Sequence, residues 1–194
     1  IKPDQGYNYA DGMRSILRQD PDIIMIGEIR DADTAEYTIR ASLTGRLVFS
    51  TIHSNTTVGT IARLFDMNIE RSLIAYALNG IISQRLIRKI CDTCRSPYMP
   101  DPEYLLYFGL DQNSYSFTRG KGCEACKGTG YHGRTGIFEV LELDNNLRSL
   151  IIERSSMSVL EEYVASTNMK TLKDAAREKI LTGITTIEEA AKAV

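Results

Sequence analysis

Hydrophobic positions change their period several times along this chain, and each change predicts an element. Ile23 to Ile26 is a continuous apolar run that ends at Gly27 and Glu28, the pattern of a strand buried on both faces in a parallel sheet. Leu47 to Ile52 repeats it and ends at His53-Ser54-Asn55. Between them Ala32, Ala35, Ile39 and Leu43 fall three or four apart, which predicts a helix opened by Asp33 with Glu36 and closed by Gly45. Strand, helix and strand make a right-handed crossover unit. It brings Glu28 and His53 to the carboxyl edge of the sheet, where open α/β sheets place their ligands.

Around this unit the pattern is mostly helical. Residues 1–8 read as an extended segment and turn, and Tyr9 to Gln19 as a helix capped by Asn8 and stopped by Pro21. Its Arg14 and Arg18 share one face, either solvated or available to phosphate or a neighbouring subunit. Val58, Ile61, Ala62 and Phe65 predict a helix entered through Asn55 or Thr56; Ile74, Leu78, Ile81, Ile82 and Leu86 predict a longer one from about Glu70 to Ile90. Arg134 to Leu141 alternates as a strand. From Asp144 onward the chain reads as a small helical bundle, with capping boxes at Ser158-x-x-Glu161 and Thr186-x-x-Glu189, a variant at Thr171-x-x-Asp174, and a stop at Gly183.

With 194 residues the chain has material for one core, or one core and a satellite. Its 23 basic and 25 acidic residues give no global attraction for nucleic acid or an anionic membrane. No apolar run has bilayer length and no signal-peptide pattern is present, so a soluble, intracellular, globular protein is expected.

A carboxylate after one buried strand and a polar residue after the next fit the back half of a nucleotide-triphosphatase core. There the acid orients water or magnesium and the imidazole senses a terminal phosphate. The alternatives are that Glu28 caps the following helix with Asp31, and that His53 is an ordinary loop histidine. No G-x-x-x-x-G-K-[ST] loop occurs. With Ile1 at its start, the chain is expected to be a piece cut downstream of a Walker A motif. Cys91-x-x-Cys94 and Cys123-x-x-Cys126 form two pairs with the spacing of a tetrahedral zinc site. Two disulfides or four core cysteines are the competing readings.

Leu17-Arg-Gln-Asp-Pro-Asp22, Gly27-Glu-Ile-Arg-Asp31, Ala41-Ser-Leu-Thr-Gly45 and Ser50-Thr-Ile-His-Ser54 resemble the Walker B and histidine boxes of the type II secretion and type IV pilus assembly ATPases. The resemblance continues through Leu78-Asn-Gly80 and Gln84-Arg-Leu86 into the cysteines. It implies the C-terminal half of a RecA-like α/β domain over 1–90, a tetracysteine zinc subdomain over 91–141, and a C-terminal helical subdomain over 142–194. It also implies a hexameric motor that hydrolyses ATP with Mg2+, holds Zn2+, and works on an inner-membrane platform protein from the cytoplasmic side, without nucleic acid. The four cysteines point to the secretion and pilus-extension branches. In this resemblance Glu28 orders the attacking water or the magnesium shell, Thr51 and His53 sense nucleotide, and Arg30 and Asp31 fix the loop beside it. Cys126-Lys-Gly-Thr-Gly130 is also similar to one repeat of DnaJ-type chaperones, which leaves a zinc-held chaperone or binding module as the alternative.

Overall fold

The structure, a computed structural model, describes residues 9–111 and 113–194. The segment expected over 1–8, with its Asn8 cap, lies outside them. Contacts divide the chain into two compact units, Ile1–Ile81 with Leu141–Met169, and Ile82–Val140 with Lys170–Val194.

In the first unit, helix α1 (Tyr9–Ile16) runs on as a 3₁₀ turn to Gln19 and leads into β1 (Ile23–Ile26), α2 (Ala32–Leu43) and β2 (Leu47–Ser50). β1 and β2 are parallel, with Ile23 opposite Leu47 and Ile26 opposite Ser50, as the crossover reading requires. Ile24 and Ile26 pack against Met13 and Ala41. Ile23, Met25, Leu47 and Phe49 are exposed. The expected burial of β1 on both faces therefore holds for one face among the described residues.

The cap of α2 also differs from expectation. Asp31, not Asp33, holds extended backbone and accepts from the Thr34 amide at 2.8 Å, because a side chain caps only from the residue just outside the helix. Helix α3 (Thr57–Asp66) starts from Thr56, one of the two expected caps, and α4 (Arg71–Ala77) follows. Ile29, Ala35, Ile39, Leu64 and Ile74 form the core beneath α2. Helices α6 (Asn145–Ile152) and α7 (Met157–Ser166) add Leu147, Ile151 and Leu160 against Val58 and Ile61.

The long helix expected over 70–90 is not formed. It stops at Ala77, and Gly80–Ile90 is strand β3. Gly80 and the β-branched Ile81, Ile82, Ile87 and Ile90 favour the extended chain, and the side chains alternate accordingly. Ile81, Ser83 and Ile87 are buried, whereas Ile82 and Leu86 of the supposed helical stripe are exposed. β3 pairs with β6 (Tyr131–Glu142), the strand expected around Arg134 to Leu141.

The second unit inserts β4 (Arg95–Pro97), α5 (Pro102–Phe108) and β5 (Thr118–Gly120) between those strands; β4 and β5 pair antiparallel. Helices α8 (Leu172–Leu181) and α9 (Ile187–Ala191) complete its core, where Ile87, Leu105, Phe108, Ile137, Ala176 and Ile187 meet. Thr171 and Asp174 form a full capping box for α8. The box expected at Ser158 is absent, because α7 begins two residues earlier, with Ser156 at the cap position.

Candidate active site and metal centre

β1 and β2 end side by side, and two bonds sew the loops that follow them together. The Ile29 amide donates to the Thr51 carbonyl at 2.8 Å, and the Thr51 hydroxyl donates to the Gly27 carbonyl at 2.6 Å. This clamp aims Glu28 and His53 at one another, with Nε2 of His53 3.4 Å from Oε2 of Glu28. The other carboxylate oxygen, Oε1, is 2.5 Å from Nη2 of Arg30. The Arg30 guanidinium holds the Glu28 carboxyl below the usual carboxylate range, against the opposing effect of desolvation. A carboxylate ionised at neutral pH, backed by an imidazole that is 91% exposed, is equipped to bind water or the water shell of a divalent cation.

Each sequence-level candidate therefore has a definite place. Glu28, Arg30 and His53 come together, Thr51 ties the two strand ends, and Asp31 is committed to the α2 cap. Gly27 stands where many P-loop enzymes carry a second acid. A Cβ there would lie 2.8 Å from the Tyr9 hydroxyl, so any side chain at this position requires the Tyr9 ring to shift. Neither Tyr9 nor the clamp to Thr51 announces itself in the sequence, because both depend on register across the sheet. Arg14, by contrast, is engaged locally, bonded to Tyr37 at 2.7 Å and to Asp11 at 3.0 Å.

In the second unit the two cysteine pairs converge. The four sulfurs lie within 4.8 Å of one another, with separations of 3.8 Å for Cys91 and Cys123, 3.9 Å for Cys94 and Cys126, and 3.7 Å for Cys123 and Cys126. A tetrahedron of sulfurs about 2.3 Å from a central zinc has edges of about 3.8 Å, so the donor set fits that ion. None of the four is in a disulfide. Backbone amides of Cys123 and Gly130 donate to Cys126 Sγ at 3.2 Å each, and that of Gly122 to Cys94 Sγ at 3.3 Å. Burial disfavours the Cys126 thiolate, but the amides of Cys123 and Gly130, with the neighbouring Cys123 and Cys94 thiols, outweigh it and bring the Cys126 thiol down to about 6. The glycines of Cys126-Lys-Gly-Thr-Gly130 now have a reason. Gly130 has a φ of 75°, and a Cβ on the facing Gly120 would meet the Gly130 carbonyl at 2.0 Å, so only glycine lets the two loops close around the sulfurs.

The α/β fold resembles part of two solved ATPases. The crystal structure of the pilus retraction motor PilT with bound ADP superposes with a TM-score of 0.65 at 28% identity, covering 96% of this chain and 43% of that one. The Legionella pneumophila ATPase DotB shares the fold with a TM-score of 0.67 at 21% identity, over 95% of this chain and 42% of that one. The sequence profile described as Type II/IV secretion system protein matches residues 1–192, and the chain belongs to that family. Curated relatives include type II secretion system protein E of Pseudomonas aeruginosa, 44% identical over 93% of this chain and 36% of that protein. Another is the type IV pilus assembly ATPase PilB of Thermus thermophilus, 44% identical over 97% of this chain and 22% of that protein. The chain thus spans well under half the length of these relatives. The family match runs through both cysteine pairs, so the likeness to a DnaJ-type repeat is confined to a short stretch. Among the described residues no helix is long and apolar enough to cross a membrane.

Proposed function

We propose that this chain is the C-terminal part of a hexameric motor ATPase that drives type II secretion or type IV pilus assembly. The observation that carries the reading is the carboxylate of Glu28 facing His53 at the shared end of two parallel strands, in a member of a family whose relatives are secretion and pilus ATPases. Glu28 orders the attacking water, or the water shell of Mg2+ on the ATP phosphates, and with a single carboxylate the site takes its remaining phosphate contacts from a P-loop elsewhere in the motor. His53 and Thr51, on the neighbouring strand, register the terminal phosphate and pass its presence to the subunit interface. Zn2+ bound by Cys91, Cys94, Cys123 and Cys126 ties the insertion together and takes no part in hydrolysis. The motor sits on the cytoplasmic face of the inner membrane through a platform protein, without contact to nucleic acid.

The test is a full-length motor carrying this chain. Wild type hydrolyses ATP in a Mg2+-dependent way, and His53→Ala keeps ATP binding while secretion or pilus output falls more steeply than hydrolysis. A wild-type motor without ATPase activity contradicts the reading.

A further inference from the structure

The four sulfurs of the second unit are not equivalent. Cys91 and Cys126 are buried, whereas Cys94 and Cys123 are partly open to solvent. Their hydrogen bonds differ as well. Cys126 Sγ accepts from the amides of Cys123 and Gly130, and Cys94 Sγ from that of Gly122. Among the described residues no amide donates to Cys123 Sγ, which faces the sulfurs of Cys91 at 3.8 Å and Cys126 at 3.7 Å. In a tetrathiolate site every ligand is deprotonated, so access and the charge left on sulfur set the ligands apart. An N–H donor stabilises that charge and makes the sulfur a poorer nucleophile. Cys123 alone of the four combines an opening to solvent with a sulfur that no amide shields. The residues that follow it, 124–129, are exposed except for Cys126, so a small reagent has a path to it.

We propose that Cys123 is an oxidation site through which a hydroperoxide opens the metal centre, with Cys126 as the resolving thiol. This rests on the reading of the four cysteines as a zinc site. Cys123 Sγ attacks one peroxide oxygen, the O–O bond breaks, and its electron pair leaves on the other oxygen, which takes up a proton. Cys123 is thereby oxidised by two electrons to the sulfenic acid as the peroxide is reduced. Cys126 Sγ then attacks the Cys123 sulfur; the S–S bond forms, the S–O bond breaks, and the leaving hydroxide is protonated to water. Cys91 is almost as near, but it belongs to the other knuckle, and the metal is what holds the two knuckles together. Cys123 and Cys126 share one short turn and stay close once the metal is loose, so their ring costs less to close. The remaining pair, Cys91 and Cys94, is too few to retain the ion, and the binding free energy that ordered the second unit goes with it. A dithiol reductant reverses the change by thiol–disulfide exchange.

The experiment treats the full-length motor, purified under reducing conditions, with hydrogen peroxide. A chromogenic chelator follows released zinc, and peptide mass spectrometry follows the cysteines, with and without dimedone to trap a sulfenic acid. Two variants are compared, Cys123→His and Cys94→His; each leaves three cysteines and one histidine, a set that zinc accepts. Wild type is expected to release one zinc for each Cys123–Cys126 disulfide formed, to carry the dimedone adduct on Cys123, and to recover with a dithiol and added zinc. Cys94→His should lose its zinc as wild type does, while Cys123→His keeps it at the same peroxide dose. A dimedone adduct on another of the four, a first disulfide other than Cys123–Cys126, or equal zinc loss from Cys123→His overturns the proposal while leaving the zinc site in place. Reduced wild type that holds no zinc overturns the site and the proposal together. The wild-type mass spectra decide the matter even if neither histidine variant folds.

Discussion

Glu189 was expected to close a capping box with Thr186, and the structure gives it a heavier task. Thr186 does accept from the Glu189 amide at 3.2 Å, but the Glu189 carboxylate reaches across to Arg88. It accepts from the Arg88 backbone amide at 3.1 Å, from Nε at 2.9 Å and from Nη2 at 2.6 Å. The same guanidinium lies 4.1 Å from the centre of the Tyr131 ring. The side chain of Glu189 is 11% exposed, and Arg88 holds its carboxyl below the usual range. A depressed carboxyl contributes stability above its unfolded value of about 4.3, and that contribution is lost as pH falls through the folded value. Glu189→Gln should therefore destabilise by about 1–2 kcal/mol near neutral pH, the scale of charge-assisted hydrogen bonds with one half-exposed partner, and by progressively less as the pH falls below the unfolded value. Urea unfolding of both proteins across that range checks it; a penalty independent of pH would mean that packing, not the ion pair, is what is lost.

At the scale of elements, β3 shows what can and cannot be read from sequence alone. The isoleucines at 74, 81 and 82 and the leucines at 78 and 86 satisfy a helical period, so the pattern alone supports a helix to Ile90. What decides against it is pairing with β6, a partner some fifty residues away in sequence, which period counting does not see. Elements whose signals are local came through: the β1–α2–β2 crossover, the Thr56 and Thr171 caps, and the strand near Arg134. At the site, Glu28 and His53 were legible because each directly follows an apolar run. The Tyr9 hydroxyl beside Gly27 and the pairing of Arg30 with Glu28 were not, because they depend on three-dimensional placement. The strand makes a prediction that a helix would reverse. Ile87→Ala, at a fully buried position, should cost about 2–5 kcal/mol, while Leu86→Ser, on the exposed face, should stay within about 0.5 kcal/mol. Denaturant midpoints of the two variants decide between the geometries.

For the whole molecule, two centres lie in different units, the acid and imidazole in the first and the thiols in the second. The sulfur tetrahedron predicts one zinc per chain in protein purified under reducing conditions, measured by elemental analysis. Cys126→Ser should abolish it, and stripping the metal should loosen the second unit, because binding free energy at such a site is folding free energy. Zinc-free protein with undiminished stability would refute the assignment. The claim that organises the whole account is that Glu28 acts on water or metal in the transition state of ATP hydrolysis. Its direct test is the ATP dissociation constant and kcat of Glu28→Gln in a full-length motor. An interaction made only in the transition state predicts ATP binding within about threefold of wild type and a kcat lowered by about 100-fold or more. Hydrolysis at the wild-type rate, or a loss confined to ATP binding, would contradict it.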